Sequence, residues 1–104
     1  MSGVWDYRER LPVEPLVTDT ESAFYLHLEV ADRPGVLAQI AEILGLQGVS
    51  VKSVVQKGMG DDARLDMVLH PVLESKFEAA VALIGRLDVL RSAPRWSRVI
   101  EETF

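Results

Sequence analysis

Along residues 23–30, apolar Phe24, Leu26, Leu28 and Val30 alternate with Tyr25, His27 and Glu29. A period of two sends successive side chains to opposite faces, so this stretch predicts a strand with one buried face. Residues 31–35, ADRPG, interrupt it. Val36, Leu37, Ile40, Ala41 and Leu44 then recur at helical spacing, with Gln39 and Glu42 on the far side. Gly45 and Gly48 predict the end of that helix. Period two returns as Val49, Val51, Ser53 and Val55 against Ser50, Lys52, Val54 and Gln56. The glycines and aspartates of residues 57–63 predict a turn. Leu65, Met67 and Leu69 alternate with Arg64, Asp66, Val68 and His70, which predicts a third strand closed by Pro71 and a β-hairpin with the second. Over residues 73–87 the stripe Leu73, Phe77, Ala80, Val81, Ile84 and Leu87 predicts a second helix, with Glu74 and Glu78 suited to its N-terminal end. The stretch after Asp88, broken at Pro94, predicts a fourth strand.

The predicted order is β-α-β-β-α-β. Two crossovers joined by a hairpin give an α+β, ferredoxin-like βαββαβ sandwich, an antiparallel sheet with both helices on one face. The other face is expected to carry Tyr25, His27, Ser50, Lys52 and Val54, half polar and half apolar, a candidate for packing on another chain. Residues 1–22 differ from the rest. Pro12 and Pro15 forbid a helix, yet Val4, Trp5, Leu11 and Leu16 are too apolar for a free tether. They are read as an extended arm or linker, and residues 23–104 as the domain.

Composition narrows the chemistry. At 104 residues the chain is the size of one domain. No apolar run reaches the roughly 18 residues of a bilayer span, and no basic head with an apolar core opens the chain, so neither an anchor nor a secretory signal is expected. The absence of cysteine removes disulfides and thiol chemistry and suits a cytoplasmic setting. A net charge of −5 argues against nucleic acid as the partner. With only His27 and His70, a histidine metal site is not expected, and no spacing suggests a catalytic triad or carboxylate pair. His27 is read as an interface or exposed residue, Trp96 as a core or edge residue, and Arg91, Arg95 and Arg98 as a solvated or interface face.

One loop stands apart: Asp32-Arg33-Pro34-Gly35-Val36-Leu37, between the first strand and the first helix. Pro34 suits a helix start, where its missing N–H costs least. Gly35 has no Cβ, so a ligand can approach the backbone. The N–H groups of Gly35, Val36 and Leu37 at a helix N-terminus suit a carboxylate. Asp32 can cap the helix or bind an ammonium group. Such a loop can hold both charged ends of a free amino acid, or be a capped turn without a ligand. A phosphate-cradling enzyme loop built on Arg33 would need glycines where Asp and Pro stand.

Asp32-Arg33-Pro34-Gly35-Val36-Leu37, followed by Ile40, Leu44 and Gly48-Val49-Ser50-Val51, resembles the ACT domain, a small regulatory module that binds amino acids. The resemblance covers residues 23–101. More narrowly, residues 25–38, Ser53-Val54-Val55-Gln56, His70-Pro71 and Leu90-Arg91-Ser92 are similar to the C-terminal ACT domain of bacterial homoserine dehydrogenase, and the arm to the segment that enters it. That enzyme reduces aspartate semialdehyde with NAD(P)H in threonine biosynthesis, and its family is commonly inhibited by threonine. The resemblance implies ligand contacts from Asp32, Arg33, Pro34, Gly35, Val36, Leu37 and Ser50, with threonine the favoured ligand. It implies a homodimer or higher oligomer whose ligands touch both chains, and a neighbouring catalytic dehydrogenase domain. This chain alone is expected to hold no catalytic residues and no cofactor, since no Gly-rich dinucleotide fingerprint follows a strand. Val30 and Ser50 stand where serine-binding relatives carry His and Asn, which favours a ligand held mainly by backbone groups. A free-standing sensor, the ACT domain of another enzyme of amino-acid metabolism, and a dimerisation-only module remain as alternatives.

Overall fold

The computed structural model describes residues 19–100. Reading of residues 1–18 as an arm lies outside them. Seven elements follow in order: β1 (Glu21–Ala31), α1 (Val36–Leu46), β2 (Val51–Met59), β3 (Asp62–Leu69), β4 (Val72–Leu73), α2 (Glu74–Ile84) and β5 (Arg95–Val99). β1 is central. It pairs antiparallel with β3 through residues 25–31, with β5 through residues 23–27 and with the short β4 through Glu21 and Ser22. Among the described residues β2 pairs with β3 alone. The result is the expected α+β sandwich with both helices on one face.

The strict alternation in β1 and β3 does what the period demands. Phe24, Leu26, Leu28 and Val30 meet Ala63, Leu65, Met67 and Leu69 in one core with Val36, Ile40, Leu44, Phe77, Ala80 and Ile84 from the helices. Phe24 stacks on Phe77 with ring centroids 4.0 Å apart, and Trp96 sits edge-on to both, closing that end of the core.

Several expectations are corrected. β1 begins at Glu21, two residues inside the segment read as arm. α1 runs through Gly45 to Leu46 and is stopped by Gly48 alone, at φ 78°. The Gly48 N–H donates to the Gly45 carbonyl and the Val49 N–H to that of Leu44, the Schellman pattern that ends a helix. Ala41 is exposed, and Ile43 packs against the core in its place. α2 ends at Ile84, before Leu87. The turn of the hairpin shrinks to Gly60 and Asp61.

The largest correction concerns β2. Its register slips by one residue between Val51 and Ser53, a β-bulge at Lys52. Beyond it Val54, Gln56 and Gly58 oppose Met67, Leu65 and Ala63, on the helix side, while Val55 and Lys57 oppose Asp66 and Arg64 on the outer face. The predicted faces are therefore exchanged over residues 53–56, and the strand runs on through Met59 where a turn was expected. Val54 and Gln56 leave the outer face, and Val55 joins it.

Candidate amino-acid-binding cleft

The loop after β1 is shaped by its own backbone hydrogen bonds. The Val36 N–H donates to the Arg33 carbonyl at 3.3 Å, and Gly35 lies at φ 86°, ψ −7°. These are the marks of a type II turn with Pro34 second and Gly35 third, a place that glycine fills without strain. The Asp32 N–H donates to the Asp61 carbonyl at 2.9 Å, tying the loop to the hairpin turn. On the other side the Ala31 N–H donates to the Val89 carbonyl at 2.8 Å.

Gly35 is the N-cap of α1, and among the described residues no side chain caps the helix. Asp32 is thus not the cap, because the turn has placed glycine there. The Val36 N–H is used within the turn. Among the described residues, the N–H groups of Gly35, Leu37 and Ala38 meet no acceptor. The first turn of α1 holds no acidic residue, so the positive end of the helix dipole faces outward uncompensated.

In front of it lies a cleft of about 430 Å³. All six residues Asp32, Arg33, Pro34, Gly35, Val36 and Leu37 line it, with Val30, Ala31, Ala63 and Leu65 as its apolar floor and Gln56 as its wall on β2. A Cβ placed on Gly58 would lie 4.0 Å from Asp32 Oδ2, so that carboxylate stands over β2. An added Cβ at Gly35 would meet nothing within 4 Å, which leaves the backbone there open to approach. Ser50 is not among the walls. It precedes β2, at the end away from Gly58, where its carbonyl accepts the His70 N–H. Gln56, which the alternation assigned to the outer face, is the polar wall that sequence reasoning missed. The signal that moves it is the bulge, which leaves no mark in a run of adjacent valines.

A second polar cluster occupies the outer face. Asp66 Oδ1 accepts the Tyr25 hydroxyl and contacts His27 Nδ1, both at 2.6 Å, while His27 Nε2 lies 3.3 Å from Glu29. The Tyr25 bond, then that of His27, holds the Asp66 carboxyl below its ordinary range, and the same Asp66 bond pushes the Tyr25 hydroxyl up. Arg64 Nε is 3.4 Å from Asp66 Oδ2 but misaligned, and it has no hydrogen-bond partner among the described residues. Trp96 is the core-edge residue expected. Arg91 pairs with Asp62 at 2.8 Å and Arg98 with Glu74 at 2.5 Å, which accounts for two of the three clustered arginines.

Among the described residues, no group of three or more His, Cys, Asp or Glu is arranged to hold a metal ion, and no helix is long and apolar enough to cross a membrane.

Known proteins are similar to this chain in sequence and fold. Homoserine dehydrogenase of Pseudomonas aeruginosa is 38% identical over 81 residues, covering 75% of this chain and 18% of the enzyme. That of Corynebacterium glutamicum is 36% identical over 74 residues, covering 71% and 17%. The crystal structure of a homoserine dehydrogenase from Thiobacillus denitrificans superposes with a TM-score of 0.71 at 34% identity, covering 77% of this chain and 18% of that one. The chain thus spans about a fifth of the length of these relatives. The ACT domain model matches residues 24–89, from the first core strand past the second helix and across the whole loop and cleft floor. With that match and this fold, the chain belongs to the ACT domain family.

Proposed function

We propose that the chain is an amino-acid-binding regulatory domain that serves a homoserine dehydrogenase, with threonine as its ligand and feedback inhibition as its task. The observation that carries this reading is the cleft at residues 32–37, with free N–H groups at a helix start beside the Asp32 carboxylate. The N–H groups and the helix dipole take the ligand carboxylate. Asp32 takes its ammonium group, and the apolar floor with Gln56 receives the side chain. Catalysis belongs to another part of the enzyme, and the domain holds no cofactor.

The working unit in this reading is a pair of chains. Among the described residues the outer edge of β2 pairs with no strand, and residues 52–59 are exposed throughout, including Val54, Val55 and Met59. Such an edge invites a second strand. Two-fold antiparallel pairing of β2 centred on Val54 sets Ser50 of one copy opposite Gly58 of the other, beside Asp32. Ser50 then completes the site from the second chain.

Calorimetric titration with threonine, then with the other amino acids, tests the reading. Micromolar binding of threonine that is lost in Gly35→Val supports it. Titration of a folded chain that shows heat from no amino acid overturns it.

A further inference from the structure

The helix-side face of the sheet narrows toward the cleft. Leu26, Met67 and Val54 form one cross-strand row, and Leu28, Leu65 and Gln56 the next. The last row is Val30, Ala63 and Gly58, which is an isopropyl group, a methyl group and a hydrogen. The larger rows lie where helices cover the sheet. The smallest lies where α1 has given way to the loop, and there the space stays open as the cleft.

Ala63 and Val30 line that cleft although they are only 1% and 2% exposed. Leu65 and Val36, also buried, complete its inner lining.

We infer that Ala63 is a specificity-determining residue whose methyl sets the depth of the cleft, so that the site takes an α-amino acid with a short side chain and rejects long or aromatic ones. This rests on the reading of the cleft as an amino-acid site.

The test is calorimetry of the parent, Ala63→Gly and Ala63→Val with serine, threonine, leucine and phenylalanine. The readout is the ratio of Kd values within each protein, which cancels any shared loss of stability. One methylene in such a pocket discriminates about 10- to 200-fold. The parent is expected to favour threonine over leucine by at least about tenfold. Ala63→Gly narrows that ratio, and Ala63→Val moves preference from threonine toward serine. If Ala63→Val does not fold by circular dichroism, the Ala63→Gly ratio decides alone. A parent that binds leucine as well as threonine, or variants with unchanged ratios, overturns the role of Ala63 while the amino-acid site stands. A parent that binds none of these four, nor any other amino acid when the titration is extended to all twenty, overturns both.

Discussion

Gln56 stands directly opposite Leu65 across the β2–β3 ladder, and its side chain therefore joins the helix side of the sheet. One extra residue, Lys52, puts it there, because a slip of one position reverses every side chain beyond it. Gln56→Ala is expected to weaken threonine binding about fivefold, the worth of one hydrogen bond of about 1 kcal/mol. Val68→Ala, on the outer face of β3, leaves the Kd unchanged. Deleting Lys52 turns Gln56 outward and reproduces the loss. Calorimetry on the three variants checks the set.

Two glycines at positive φ separate strain from function. Gly35→Val forces a β-branched residue to φ 86° and is expected to cost about 1–3 kcal/mol, with binding abolished. Gly48→Ala, at φ 78° beyond the other end of the same helix, costs a comparable amount and leaves the Kd of the folded protein unaltered. Urea unfolding paired with titration distinguishes them. Equal loss of binding in both variants places the ligand elsewhere.

The Tyr25–Asp66 bond predicts how stability changes with pH. Asp66 is depressed below its ordinary 3.8, so its contribution is complete above that value and is lost as pH falls through its lower folded value. Tyr25 is raised above 10.0, so its contribution is complete below that value and is lost as pH rises through its higher folded value. Tyr25→Phe is expected to flatten the alkaline limb of Tm against pH and to soften the acid limb, where the His27 bond remains. Thermal melts across both limbs measure this.

Pairing through β2 predicts sedimentation near twice the 11.6 kDa of the chain. Because the ligand then touches both copies, threonine strengthens the dimer, and dimerisation strengthens threonine binding by the same factor. Val54→Lys, at the centre of the pairing, is expected to give monomers and to raise the Kd for threonine. Sedimentation with and without threonine reads both effects.

Much of this was legible from the chain. Phe24, Leu26, Leu28 and Val30 admit only one buried face, and so do Leu65, Met67 and Leu69. The loop 32–37 was marked by Pro34 and Gly35, whose backbone preferences leave few turns open. The strand β2 was legible but its facing beyond Lys52 was not, because Val54 and Val55 are adjacent and the pattern fits either phase. Of the two roles open to Asp32 in the sequence, capping falls away for a related reason. Asp32 is a good capping residue, but Gly35 reaches the position first once the type II turn forms. The start of α2 shows a third limit. The Ser75 N–H and hydroxyl both donate to the Asp19 carboxylate across 56 positions, a bond that no local pattern announces.

The stacked Phe24 and Phe77, closed by Trp96, lie at one end of β1, and the small row of Val30, Ala63 and Gly58 lies at the other. Free energy of local opening follows buried contact, so it falls along the strand toward the loop. In amide hydrogen exchange the Leu26 and Met67 amides should open only with global unfolding, and those of Asp32 and Val36 through much smaller fluctuations. A ligand seated in the cleft ties loop, helix start and strand together. It therefore slows exchange most where the empty domain is loosest, and a seat that breathes in this way lets its occupant enter without the core having to yield.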